Sequence, residues 1–121
     1  MMDGMGSPGT VAVVSDDLMF SSRLQASMRR AGGDAVTVIG DDVPSVDTLF
    51  VDLNSGAEER LELITRLRRE RPALEIVGFC SHGERELRRR ALRHGATRVV
   101  NNGALQEVAL RLSGATTARG A

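Results

Sequence analysis

The chain has 121 residues, 41% of them apolar, enough for one domain whose core needs neither disulfide nor metal to hold it. Sixteen acids balance sixteen basic residues, so no net field draws the chain to nucleic acid or membrane, and with no Trp, no Tyr and three Phe there is little on which bases could stack. Every one of the sixteen cations is arginine, and the lone cysteine, Cys80, excludes an internal disulfide and a multi-cysteine zinc site.

The opening MMDGMGSPG has no basic segment followed by an apolar one, so it does not read as a signal peptide. No apolar stretch reaches the length of a bilayer span; the expectation is a cytoplasmic domain with no membrane partner. Residues 1–9 read as a flexible leader, 10–112 as the domain, and the small polar residues 113–121 as a flexible tail.

Thr10 to Val14 (TVAVV) is a β-branched run and predicts the first strand. The next segment places Phe20, Leu24, Met28 and Ala31 at helical spacing, with Ser15 or Asp16 as its cap and Gly32-Gly33 as its stop. Ala35 to Ile39 predicts a second strand, and Leu49 to Asp52 the core of a third. Only the eight residues Gly40–Asp47, Pro44 among them, separate these two. A parallel crossover ordinarily takes a dozen or more with a helix, so a loop or a single helical turn is expected.

A second helix is expected over about Glu58–Arg71, with Leu61, Ile64 and Leu67 inward and Pro72 ending it. Glu75–Cys80 reads as a fourth strand. ERELRRRALRH (84–94) reads as a helix closed by Gly95, and RVV (98–100) as a short fifth strand. About Ala104–Leu112 reads as a last helix with Leu105, Val108, Ala109 and Leu112 on one stripe. Strands alternating with helices predict an α/β doubly wound fold around a five-stranded parallel sheet. Ligands bind such sheets beyond the strands' carboxyl ends. Those ends carry Ser15-Asp16-Asp17, Asp52, Cys80-Ser81-His82 and Asn101-Asn102.

Several features invite a function and do not sustain one. Gly4, Gly6 and Gly9 spell G-x-G-x-x-G, but they precede the first strand, whereas a dinucleotide site needs them between strand and helix. His82 and His94 have no partner at metal-ligand spacing, and His94, in the last turn of its helix, suits the helix dipole. Cys80 ends a buried strand, where cysteine behaves as a small hydrophobe. Nothing visible orients His82 as a base for it, so no enzyme is expected. Arg85, Arg88, Arg89, Arg90 and Arg93 crowd one helix and read either as a solvated face paired with Glu84 and Glu86 or as a docking surface for an acidic partner.

From Thr10 to Leu112 the chain resembles the receiver domain, the CheY-like module of bacterial two-component response regulators. The resemblance rests on VAVVSDD at the first strand, LFVDLN at the third, IVGFCSHG at the fourth and HGATRVVNNGAL at the fifth. It implies the flavodoxin-like strand order 2-1-3-4-5, here with the helix between strands 2 and 3 shortened or missing. It implies that Asp52 is the phosphoacceptor. It further implies a magnesium ion held by acids after the first strand, by Asp52 and by the backbone carbonyl of Asn54. A hydroxyl at the end of strand 4 and a lysine after strand 5 would then engage the phosphoryl group.

The chain departs from that pattern at three places. Reading on from Val13-Val14 without a gap makes Ser15 and Asp16 the pair after the first strand, with Asp17 the next residue; a one-residue shift would instead make Asp16-Asp17 the pair. Cys80 stands at the switch hydroxyl, with Ser81 adjacent but facing the other side of the sheet. Asn102 stands at the lysine, and no lysine elsewhere can replace it. A cation about 4 Å from a phosphoryl oxygen interacts by roughly 4 kcal/mol at an effective dielectric of 20, and an amide recovers only part of that. Val99 also stands where an aromatic switch residue is common.

The resulting expectation is a pseudo-receiver acting through protein–protein contact, binding magnesium weakly if at all. Its partner would be a histidine kinase, another acidic protein surface or a second copy. The surface would be the arginine-rich helix, centred on Arg85, Arg88, Arg89 and Arg93, with the last strand and helix. The alternatives are a genuine regulator phosphorylated on Asp52, and a flavodoxin-like enzyme or small-molecule sensor using the strand-end crevice.

Overall fold

The computed structural model of the chain describes residues 10–38 and 40–113. Its elements, in order, are β1 (Thr10–Val14), α1 (Leu18–Arg30), β2 (Asp34–Val38), β3 (Thr48–Asp52), α2 (Ala57–Glu70), β4 (Glu75–Cys80), α3 (Arg85–His94), β5 (Arg98–Asn101), a 3-10 turn (Asn102–Ala104) and α4 (Leu105–Ser113). The strands form one parallel sheet in the order β2-β1-β3-β4-β5. Strand 2 thus begins one residue earlier than expected. Ile39, the glycines of the leader motif, the Leu112 side chain and the terminal segments 1–9 and 114–121 lie outside the described residues.

Alternation along the strands splits the core in two. Val11, Val13, Phe50, Val77 and Phe79 point to one side, where Leu24 and Met28 of α1 and Leu105, Val108 and Ala109 of α4 cover them. Ala12, Val14, Leu49, Val51, Ile76 and Cys80 point to the other, beneath Leu61, Ile64 and Leu67 of α2 and Ala91 of α3. Burying each Leu- or Ile-sized side chain contributes about 1.5–3 kcal/mol.

Among the described residues, the connection from β2 to β3 contains no helix. It must return along the length of a five-residue strand, roughly 16 Å at about 3.3 Å per residue, and an extended segment covers that in far fewer residues than a helix rising about 1.5 Å each. Val43 is buried and Val46 partly so, packing against the α2 side of the core where helix side chains would otherwise stand. Arginines of α2 and its C-cap hold the segment: Arg71, the C-cap, donates to the carbonyls of Val43 (2.6 Å) and Pro44 (2.8 Å), and Arg66 to the carbonyl (2.9 Å) and carboxylate (3.2 Å) of Asp41. Arg68, also on α2, donates to the carbonyls of Gly95 and Pro72 and to the Thr97 hydroxyl. Gly95, at φ 124°, ends α3 in a conformation that favours glycine. A Cβ there would lie 2.8 Å from Arg68 Cβ.

The arginine-rich helix divides by function. Arg88 donates to the Val99 carbonyl (2.8 Å) and to Asn101 Oδ1 (3.0 Å), tying α3 to β5. Arg90 forms a two-pronged pair with Glu58 of α2 (2.7 and 2.8 Å). Arg85, Arg89 and Arg93 remain exposed, the last two beside Glu86. Arg88 is thus a strut between α3 and β5, unlike the three exposed arginines beside it.

Candidate functional site

The strand order reverses between β1 and β3, which opens a crevice beyond their carboxyl ends. A cavity of about 630 Å³ sits there, lined by Asp16, Asp17, Phe20, Arg23, Asp52, Asn54, Ser55, Phe79, Asn102 and Gly103. Asp52 ends a strand whose five residues are all buried, and it is itself only 5% exposed.

Both oxygens of its carboxylate are engaged. Ser15 Oγ donates to Oδ2 at 2.6 Å. Asn54 donates twice to Oδ1, from its backbone N–H (2.8 Å) and its side-chain amide (2.7 Å). A buried anion needs such donors, and these three are all neutral. Asn102 does not reach the carboxylate. Its amide pairs reciprocally with that of Asn54, at 3.0 and 3.1 Å, and so closes the ring one residue removed.

The acids after β1 have gone separate ways. Ser15, directly after β1, is buried. Asp17 caps α1, its carboxylate accepting from the Phe20 N–H at 2.9 Å and its own N–H donating to Ser15 Oγ. This corrects the expected cap, Ser15 or Asp16. Asp16 turns outward, 77% exposed, to a pair with Arg60 at 3.1 Å.

Beside Asp52, β4 places Phe79 and not the residues expected at the switch. Phe79 is the register partner of Asp52 and lines the same cavity, stacked obliquely against Phe20 with ring centroids 5.1 Å apart. Cys80 faces the α2 side and is fully buried, and burial pushes its thiol pKa up. Ser81 is exposed and lines a separate shallow cavity with Glu84 and Leu87. Neither donates to the carboxylate: Cys80 is one residue beyond Phe79, which reverses its side-chain direction, and Ser81 lies past the end of β4. Val99 packs into the core on the α2 side.

Two arginines went unmarked in the sequence, one lining this cavity and one in the neighbouring cavity on the α2 side. Arg23, on α1, lines the cavity. Arg60, in the first turn of α2, donates to the backbone carbonyl of Asp52 at 2.8 Å and to that of Val14 at 3.5 Å besides pairing with Asp16. Its signal was present: Arg60 stands four residues before Ile64 and seven before Leu67, so the inward stripe of α2 begins with a cation.

The arrangement does not fit a divalent ion as it stands. Magnesium requires hard oxygens converging in a near-octahedral set. Here one acid is replaced by serine, Asp16 is drawn to Arg60, Asp17 caps a helix, and the Asp52 oxygens already accept three hydrogen bonds. Among the described residues no group of three or more His, Cys, Asp or Glu side chains is placed to hold a metal. Nor is any described helix long and apolar enough to cross a membrane.

No protein-family model matches the sequence, and no curated protein matches it. Solved structures do. A CheY-like protein, TadZ, from Pseudomonas aeruginosa superposes with a TM-score of 0.71 at 22% identity, covering 87% of this chain and 93% of that one. A pilus assembly-related protein from Burkholderia pseudomallei gives 0.69 at 20%, covering 95% and 94%. The receiver domain of TorR, the response regulator of the TMAO respiratory system, gives 0.72 at 26%, covering 87% and 93%. The chain thus has the CheY-like fold, with strand order 2-1-3-4-5, and its structural neighbours include the receiver domains of response regulators.

Proposed function

We propose that this domain is a receiver-like signalling module that works by protein–protein contact, with Asp52 phosphorylated weakly or not at all. The observation that supports this reading is the neutral ring around the Asp52 carboxylate, Ser15 on one oxygen and Asn54 twice on the other, with the Asn102 amide turned away to Asn54. An incoming phosphoryl group would have to displace one of these donors. It would then meet amides where charge-assisted donors stabilise a phosphate far better.

The contact surface we assign is the outside of α3 with β5 and α4. Arg85, Arg89 and Arg93 are exposed there around Leu92, itself 47% exposed. Arginine interleaved with apolar surface is the composition of an interface, and its charge suits an acidic partner: a histidine kinase, an assembly component or a second copy. The Burkholderia neighbour, described as pilus assembly-related, is one setting for such a module.

One observation favours the second reading, a genuine but atypical phosphoacceptor: Arg23 lines the cavity and could supply the cation that Asn102 does not. Incubation with acetyl phosphate and magnesium, followed by intact mass, decides between them. The contact reading expects no stable added phosphoryl group on the wild type. Stoichiometric addition that is absent from Asp52→Asn and weakened in Arg23→Ala would establish the other.

A further inference from the structure

We infer that Arg60 is a built-in cation beside the strand-end site, set in the neighbouring cavity on the α2 side and joined to the site through Asp16 and the Asp52 carbonyl, and that its charge keeps divalent ions out. The inference rests on the reading of Asp52 as a retired phosphoacceptor and adds what neutralises the site instead.

Three observations carry it. The first is what Arg60 touches. One guanidinium spans the carbonyls of the last residues of β1 and β3 and the Asp16 carboxylate, the very point where the sheet order reverses. Of these, Asp16 is the one acid after β1 that a divalent ion would also use, and a planar five-donor fork holds it with a charge no physiological pH removes.

The second is position. Arg60 lies in the first turn of α2, where the helix dipole disfavours a cation and where Glu58 and Glu59 are the residues that suit it. Its side chain is nevertheless only 11% exposed. Local helix chemistry does not account for a buried arginine at that spot, whereas the oxygens it meets do.

The third is the acid count. With Ser15 in place of an acid and Asp17 given to the α1 cap, the carboxylates left at the site are Asp16 and Asp52, one paired with Arg60 and the other hydrogen-bonded by neutral groups. A permanent positive charge already in place repels a second cation at these separations.

Binding of Mg2+ and Mn2+ tests this directly, read by melting temperature and by Mn2+-induced broadening of the amide signals of residues 15–17 and 52–54. An ion bound with a Kd near 1 mM would raise Tm by several degrees at about 10 mM. The wild type is expected to show neither a rise nor selective broadening, and Ser15→Asp alone should remain equally silent. Ser15→Asp combined with Arg60→Met should gain both. If the methionine variant unfolds, Arg60→Gln, which keeps a donor for the Asp52 carbonyl without the charge, carries the same test.

Ion binding by the wild type would overturn the inference. So would binding by Ser15→Asp as tight as by the double variant, or no binding by the folded double variant. The outcome is separable from the proposed function. A wild type that binds manganese yet gains no mass from acetyl phosphate sinks only the role of Arg60, while one that is phosphorylated sinks the contact reading itself.

Discussion

The pocket above β3 and the flank of the sheet under α2 solve opposite problems with opposite materials. In the pocket a buried anion is held by short neutral groups, Ser15 and Asn54. On the flank, backbone carbonyls left over by a helix-less crossover and by helix ends are held by long cations, Arg66, Arg68 and Arg71. The hydrogen bonds to the Asp52 carboxylate come from neutral groups, and the arginines of the flank serve backbone carbonyls. The absence of lysine fits that division: a guanidinium can grip two carbonyls in one plane, and an ammonium is a point charge.

The strongest way to break the comparison is to remove the anion. Asp52→Ala leaves the buried Ser15 hydroxyl and the part-buried Asn54 N–H without their acceptor, and is expected to cost roughly 2 kcal/mol in urea unfolding. Asp52→Asn keeps one acceptor oxygen, and the Ser15 hydroxyl can turn to accept from the new amide; about 1 kcal/mol or less is expected. A gain in stability from Asp52→Ala would show that the carboxylate sits under repulsion from Asp16 and Asp17 instead of being supported.

The flank answers to a different substitution. Arg71→Ala frees the Val43 and Pro44 carbonyls at a partly solvated edge, so a loss of about 1–2 kcal/mol is expected. Arg71→Lys should lose most of it, since one ammonium cannot serve both carbonyls as the fork does. Equal stability for the lysine variant and the wild type would mean that charge alone holds the crossover.

Much of this architecture is legible in the sequence because it rests on period and punctuation. The alternation of TVAVV and LFVD, the Leu61–Ile64–Leu67 spacing and the short Gly40–Asp47 link each point to the observed element. The site is less legible, because it depends on which way a strand-end residue faces. Motif order put Cys80 at the switch, but the register pairs Asp52 with Phe79 and sends Cys80 to the other face. Arginine roles are the least legible of all. Arg88 and Arg89 are neighbours in one run, yet only the first finds a carbonyl to hold, and that carbonyl lies on another element.

The contrast within that run gives a smaller test. Arg88→Ala removes the bonds to Val99 and Asn101 and should cost about 1–1.5 kcal/mol. Arg89→Ala and Arg93→Ala, in solvent, should each stay within about 0.5 kcal/mol. Charge reversal at Arg89 and Arg93 should nevertheless abolish capture of an acidic partner. Loss of capture from Arg88→Ala alone, with the fold intact, would place the contact on β5 instead of the outer face of α3.

The smallest effect concerns the clasp between α2 and α3. The Arg90 guanidinium, hydrogen-bonded to Glu58, holds that carboxyl below the usual glutamate range, and the same pair raises Arg90 further. A carboxylate with a lowered folded-state pKa adds stability that is present above its unfolded pKa and is lost as pH falls through the folded one. Arg90 stays charged throughout, so the acid limb alone should report the clasp. Glu58→Gln should therefore melt slightly below the wild type at neutral pH, and the gap should narrow as pH falls below the ordinary glutamate pKa of about 4.3 and towards the lowered folded-state one. Glu58 is 73% exposed and solvent screens the pair, so the gap should also shrink in about 1 M salt. A gap that persisted in acid would assign the difference to packing of the side chain and not to its charge.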